Sequence, residues 1–500
     1  MDFPIFHLDF LNNRVLIAII AILHVLINHA LAVGFIPMVT FMEWLGFKTQ
    51  DERWDKLAYK IMFVGFVITT TIGAMTGVGI WLSSSLINPY SIGSLIRVFF
   101  FAWFTEWIVF VTEVVLILIY FLTWKKSNAS FRSKGKHILL GVGLSVASWF
   151  TMAIIVGILG FMMDTGNWLT ERSLVHGFTN PIYLPQLAFR TPLAMVMAGA
   201  MGLFLTIVFT KKGEEIRYKA LRFLGGWMLF WMPFSLAASL WYYKVIPTLM
   251  IGNMAVAVGT QDFQDWYNLL TKFIFGALGV SFIVALASRW KPQQVPAYAY
   301  VVPVIVMLGF AGIFERIREF IRKPYVIGNY MYSNGIRVDE YPLLQKEGVL
   351  KFATYVKHRE VTEANKVEAG KDVFMVACSR CHTTSGINSI VSVFDRMYGG
   401  KGQPFPQGAM KNYIKNMHNA RYYMPPFPGN EKELDALVSY IAQLQVYPES
   451  IEGAQTAGTP VQTTPEEIKQ LSERILARKE SERNDKQLAE KSNTEANLKQ

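Results

Sequence analysis

The chain has 500 residues, of which 52% are apolar, 14% aromatic and only 17% charged, with a formal net charge of +11. This composition describes a membrane protein whose polar residues are concentrated in loops and tail. Most of the basic residues lie between hydrophobic stretches, where they orient a membrane protein, so nucleic-acid binding is excluded as the reason for the charge.

The first apolar run, about 15–45, has no basic region before it and no small-residue cleavage site. It is too long for a signal core and is expected to stay as a transmembrane helix. Seven further runs of membrane length, ~20 residues or more, fall at about 57–84, 94–124, 137–163, 190–210, 221–245, 266–288 and 297–320. The loops after the odd-numbered spans hold Lys48, Arg53, Lys56 and Lys60, then Lys125, Lys126, Arg132, Lys134 and Lys136, then Lys211, Lys212, Arg217, Lys219 and Arg222, then Arg289 and Lys291. Those after the even-numbered spans hold far fewer, Arg97, Arg172 and Lys244. The asymmetry places the odd loops in the cytoplasm, and eight spans return the chain to the outside.

After the eighth span, 331–362 reads as a polar linker, a tether. Residues 363–446 form a small domain around Cys378-Ser379-Arg380-Cys381-His382, which contains both cysteines of the chain. C-x-x-C-H is the pattern in which two thioethers fix a haem c and the histidine ligates its iron. A structural disulfide or zinc knuckle needs partner ligands nearby, and a redox C-x-x-C has no use for the histidine. About 40 residues on, Tyr423-Met424-Pro425-Pro426-Phe427 offers Met424 as sixth ligand, in a loop stiffened by two prolines. Met410 and Met417, in a helical stretch, are the competitors and read as core. With an opening helix at 369–377 and a closing one at 431–444, this stretch resembles a class I cytochrome c. Haem c is attached on the oxidising, outer face of a bacterial-type membrane, where the span count also puts the domain. The charged tail, 447–500, is expected to be mobile, with a solvated helix at about 465–491.

Ionisable groups inside the spans are expensive and therefore candidates for function. His24 and His29 in span one are five residues apart, about 140° around a helix, and cannot face one partner. Each is either a haem ligand or a hydrogen-bonded core histidine. Glu106 and Glu113 in span three, seven apart, share one face: a proton path or charge compensation for a haem, against neutral core acids. His176, in an outer loop, either ligates a metal or is solvated; His137 reads as snorkelling at the cytoplasmic interface. Glu315, Arg316 and Glu319 at the outer end of span eight ligate, compensate a haem propionate, or pair with one another. Gly73, Gly77 and Gly79 make a small-residue face for close packing.

The membrane part, about residues 10–330, resembles subunit I of the cytochrome bd quinol oxidases. The resemblance rests on Leu23-His24-Val25-Leu26, Gly73-Ala74-Met75-Thr76-Gly77, the glutamates of span three, Thr179-Asn180-Pro181, and Arg322-Lys323-Pro324-Tyr325-Val326-Ile327-Gly328, similar to the family's R-Q-P-W-x-I-G. It implies that His24 ligates a haem near the outer face and that Glu113, with Glu106, serves the haem site and its proton path. The chain departs from the family at Leu187-Ala188-Phe189-Arg190-Thr191, which lacks the histidine of the quinol-side haem b, and near Lys272-Phe273-Ile274-Phe275, which lacks its methionine. The quinol loop is cut to about twenty residues, 246–265. The family's glutamate of span eight would lie near Gly312, with Glu315 one turn on, and the cytochrome c replaces the ninth span. These departures count against quinol oxidation in the family's manner.

The expectation is an all-α protein: a polytopic transmembrane bundle of about eight spans, 1–330, carrying a small helical cytochrome c domain. It sits in a bacterial inner membrane with that domain and both termini periplasmic. Its cofactors are one covalent haem c and one or more non-covalent haems of b or d type. Electrons pass between haem c and the membrane haem, with oxygen as end acceptor as in a bd-like oxidase. Partners are other membrane subunits of a respiratory complex and c-type cytochromes. The alternatives are a quinol:cytochrome c carrier without oxygen chemistry, with quinone as partner, and a membrane anchor for a cytochrome c.

Overall fold

A computed structural model of the chain describes residues 3–259, 264–398 and 404–446. The tail at 447–500, with its expected helix, lies outside the described residues.

α1 (Asn13–Asn28) passes through a π-helical turn, His29–Val33, into α2 (Phe35–Thr49), and the three form one span of 37 residues. α3 (Glu52–Ile68) passes through a second π turn, Thr69–Gly73, into α4 (Ala74–Ile87). The outer helix α5 (Pro89–Val98) precedes α6 (Phe100–Ser127) and α7 (Phe131–Met163). The short α8 (Trp168–Glu171) and α9 (Leu174–Phe178) lead to α10 (Tyr183–Phe209) and α11 (Glu215–Val245). Then come the short α12 (Thr248–Gly252) and α13 (Met254–Gly259), α14 (Gln264–Trp290) and α15 (Val301–Ile321).

Local chemistry sets the starts. Asp51 accepts a hydrogen bond from Arg53 N at 3.1 Å to open α3, and Ser130 does the same with Ser133 N at 3.1 Å to open α7. Asn88 caps α5, with Pro89 in its first turn, and this splits the expected span 94–124, so that α6 begins only at Phe100.

Among the described residues seven helices are long and apolar enough to cross a membrane, and the chain is a membrane protein. The remaining expected span falls on α14, whose described apolar part is the shorter Leu278–Trp290. The whole helix has 27 residues, about 40 Å at 1.5 Å per residue.

α10 is the buried centre of the bundle: 72% of its most apolar stretch is covered, against 17% for the peripheral α6. Small residues make the centre possible. A β-carbon on Gly34 would stand 2.0 Å from the Ala194 carbonyl oxygen, so any side chain there would drive α10 away.

Beyond α15 the chain forms a hairpin of β1 (Tyr325–Ile327) and β2 (Met331–Tyr332). Gly328 N donates to Met162 O at 3.1 Å, and a β-carbon there would stand 2.5 Å from Met163 O. The stretch 331–362 is not the tether expected from its polarity. It includes α16 (Tyr341–Glu347), and its scattered apolar residues Tyr332, Ile336, Leu344, Val349, Leu350 and Val356 are buried in one core with the cytochrome helices. These are α17 (Lys366–Ala377), α18 (Ile390–Tyr398), α19 (Gln407–Ala420) and α20 (Glu431–Val446). α17 crosses α20 at Gly370, where a β-carbon would stand 2.0 Å from Ala436 O.

Candidate functional site

The C-x-x-C-H begins where α17 ends. Cys378 N donates to Phe374 O at 2.8 Å, and Cys381 N and His382 N donate to Cys378 O at 3.0 and 2.9 Å, so the motif is wound as one tight turn. Cys378 and Cys381 are not joined to each other in a disulfide, which leaves both sulfurs to thioether attachment. Burial takes His382 down to about 4, keeping the imidazole neutral, the form that ligates metals. Its Nδ1 lies 3.2 Å from Asn388 O; with that proton donated, Nε2 is left for an iron. This donor set fits a thioether-bound haem.

The Met424 loop is tied on both sides. Met424 N donates to Arg421 O at 2.8 Å, Met424 O accepts from His418 Nδ1 at 2.6 Å, and Gln345 Nε2 donates to Phe427 O at 2.9 Å. Met410 is fully buried in the domain core and Met417 packs against that core.

The domain is clamped to one end of the bundle, the end opposite the basic loops. Asp9, ahead of α1, accepts hydrogen bonds from Thr384 N and Thr384 Oγ1, both at 2.6 Å, and from Ser385 Oγ at 3.0 Å. Asn12 Nδ2 donates to Cys381 O at 2.7 Å, and Arg380 Nε donates to Ile87 O at the end of α4 at 3.0 Å. Gly386 fits beneath this strap because a β-carbon would stand 2.0 Å from Asp9 O. Tyr423 packs on Phe320 of α15, ring centroids 5.9 Å apart. The haem c motif therefore rests on the ends of α1, α4 and α15.

Within the bundle, His24 and His29 turn to different neighbours, as their spacing implied. His24 Nδ1 lies 3.2 Å from Thr76 Oγ1, whose own hydroxyl reaches Ile72 O at 2.8 Å. The imidazole stands over Gly77 and is also hydrogen-bonded to the backbone of Gly73. An imidazole oriented by hydrogen bonds and set against a helix face without a side chain fits a haem ligand.

His29 has no nitrogen to spare. Nδ1 donates to Val25 O at 3.0 Å and Nε2 accepts from Arg190 Nη1 at 3.2 Å. Arg190, 2% exposed, also donates to Glu315 Oε1, while Arg318 Nε donates to Glu315 Oε2 at 2.9 Å. Both carboxylate oxygens of Glu315 are thus engaged by guanidinium. Glu319 pairs with Arg14 at 2.7 Å and Arg316 at 2.9 Å. Of the three uses open to these residues, they make ion pairs with their neighbours. Arg190 fills its surroundings with this network.

Glu113 accepts from Thr151 Oγ1 of α7 at 3.1 Å, and Glu106 lies two turns outward on α6. Seven residues inward on the same face is Tyr120, whose hydroxyl donates to Glu43 at 2.8 Å. Glu43, 0% exposed, also meets His137 Nδ1 at 2.6 Å and Lys134, and Lys134 pairs with Asp55. His137 is therefore not a snorkelling residue: it is buried, and its Nε2 reaches Tyr120 O at 2.7 Å. Glu43, Asp55, Lys134 and Tyr120 were missed. Glu43 had a signal, an acid inside an apolar span. His176 sits in α9 with Nδ1 2.8 Å from Ser173 Oγ, and no group of three or more potential metal-ligating His, Cys, Asp or Glu residues exists among the described residues.

Residues 365–441 match the family described as cytochrome c oxidase, cbb3-type, subunit III. The helical bundle is similar in fold to the bd oxidase from Geobacillus thermodenitrificans, at 16% identity and a TM-score of 0.51, over 64% of this chain and 89% of that one. No curated relative matches the sequence. The chain joins a membrane bundle of bd-oxidase fold to a cytochrome c module, which brings haem c and electron transfer with it.

Proposed function

We propose that the protein takes electrons from an external c-type donor and passes them inward to a membrane haem held by His24, with oxygen as the acceptor. Cys378, Cys381, His382 and Met424 hold haem c, and His24 alone of the membrane candidates holds a non-covalent haem. Bound there, the two haems supply one-electron transfer at the entrance and the site where electrons leave for oxygen. Reduction of oxygen to water consumes equal numbers of electrons and protons, and the chain's own residues supply the protons.

The observation that carries this reading is the clamp of the C-x-x-C-H loop onto the ends of α1 and α15, through Asp9, Asn12 and the Tyr423–Phe320 contact. A haem c fixed there serves the bundle beneath it. Thr76 orients His24 by its hydrogen bond. Arg190 and Glu315 occupy the region of the missing quinol-side ligands with a closed ion-pair network, which argues against quinol as donor. Protons enter from the end remote from haem c, at Glu43 and His137, pass Tyr120, and follow Glu113 to Glu106 along one face of α6. We place the protein in a bacterial inner membrane with the haem c domain periplasmic and with further membrane subunits as partners.

The test is oxygen uptake by the purified protein with two donors. A reduced c-type cytochrome should sustain uptake and a quinol alone should not. Quinol-driven reduction of haem c without an external cytochrome would establish a quinol:cytochrome c carrier instead.

A further inference from the structure

A cavity of about 520 Å³ opens between α2, α3, α11 and α14 at the end of the bundle remote from haem c. Its apolar wall is aromatic. Phe41 and Phe223 stack, with centroids 5.3 Å apart and planes 6° from parallel, and Trp227 closes on both at 6.2 and 5.9 Å. Its rim is cationic, formed by Lys219, Arg222 and Arg289, with no acidic residue in the lining. Lys219 is shared with Glu215 at 2.9 Å and Asp51 at 3.6 Å, whereas Arg222 and Arg289 have no acidic partner among the described residues. Gly226 makes the seat for Arg289: a β-carbon there would stand 3.3 Å from Arg289 Cδ and 3.4 Å from Nε. The indole of Trp227 is already spent on Met195 O at 2.9 Å, which leaves its ring, not its N–H, to the cavity.

We propose that this cavity binds an anionic phospholipid, its phosphodiester on Arg222 and Arg289 and one acyl chain along Phe41, Phe223 and Trp227. The geometry favours a lipid over a free anion because the cations border an aromatic wall at the membrane edge, and favours an anionic head because two guanidinium groups lack counter-charges. A quinone, which is neutral, would leave both unmatched. The site is independent of the electron-transfer reading, since no residue of it touches the haem candidates.

The test uses the full-length protein, reconstituted with mixed phosphatidylglycerol and phosphatidylcholine and then analysed by native mass spectrometry for retained lipid. The wild type should retain phosphatidylglycerol in preference to phosphatidylcholine. Arg222→Gln with Arg289→Gln should lower that retention roughly tenfold or more, the loss expected when two cations beside a lipid phosphate are removed. Gly226→Leu, which keeps both charges and unseats Arg289, should lower it as well. Haem content, unchanged in all variants, reports that they fold. Equal retention of phosphatidylcholine, full retention by the double variant, or an equal loss in the charge variant Lys415→Gln, in α19 of the domain at the opposite end of the bundle, would overturn the proposal. So would displacement of the lipid by inorganic phosphate alone, since that marks a simple anion site.

Discussion

Gly77 of α4 makes room for His24 of α1: a β-carbon at Gly77 would stand 3.2 Å from the imidazole Cε1. The ring's orientation thus depends on an absent side chain and on the Thr76 hydroxyl one residue before it. Gly77→Val should displace the imidazole and abolish non-covalent haem, while haem c, on a separate domain, stays at full occupancy. Thr76→Val should keep the haem but weaken its retention about tenfold, the usual cost of an outer-shell partner. Pyridine haemochrome analysis separates the two pigments in each variant.

Glu315 is a structural counter-ion in this account, so Glu315→Gln should cost stability and not haem. Leaving Arg190 and Arg318 without their carboxylate breaks a buried pair, at about 3–5 kcal/mol. The thermal midpoint in detergent should fall sharply while the haem content of the folded fraction is unchanged. Loss of haem with an unaltered midpoint would make Glu315 an iron ligand.

The clamp at Asp9 should be pH-dependent. Burial works against its charge, but hydrogen bonds from His7, Thr384 and Ser385 outweigh it and hold the carboxyl well below its ordinary value. A depressed folded pKa means that the contribution is complete above the unfolded value of about 3.9 and fades as pH falls below it toward the folded value. Amide protection at Thr384 should be level from neutral pH down to about 4 and decline below. Asp9→Asn should lower it at neutral pH by about tenfold or more and remove the decline, since hydrogen bonds to a charged group are worth about 1.5–3 kcal/mol.

The α6 line predicts a graded kinetic effect. Glu113→Gln should slow oxygen turnover roughly 10²-fold, and Tyr120→Phe and Glu43→Gln should slow it by smaller factors, each with normal haem content. Electron entry, followed as anaerobic reduction of haem c by its donor, should be untouched in all three. If the three variants turned over like wild type, the cluster at Glu43 would be structural only.

What could be read in advance followed from how local the constraint is. The C-x-x-C-H and the helices around it are legible because covalent haem attachment fixes residue types at fixed spacing. The spans are legible because lipid imposes length and excludes charge. The five-residue spacing of His24 and His29 already separated their neighbours. Which neighbours they were was not legible, since Arg190 lies 161 positions beyond His29 and in the sequence reads only as a missing histidine. Asp9 and Asn12 gave no signal because a strap of single hydrogen bonds has no periodicity. The collar at 331–362 was hidden because its buried residues are interspersed with polar ones and meet their core only in three dimensions.

The central claim, one haem c and one non-covalent haem at His24, is tested most directly by pyridine haemochrome analysis with reduced-minus-oxidised spectra of the wild type and of His24→Ala, with and without carbon monoxide. The account predicts equal amounts of covalent and non-covalent haem in the wild type, a carbon monoxide shift of the non-covalent component, and its loss in His24→Ala with haem c retained. Haem c alone in the wild type, or a non-covalent haem that survives His24→Ala, would contradict it.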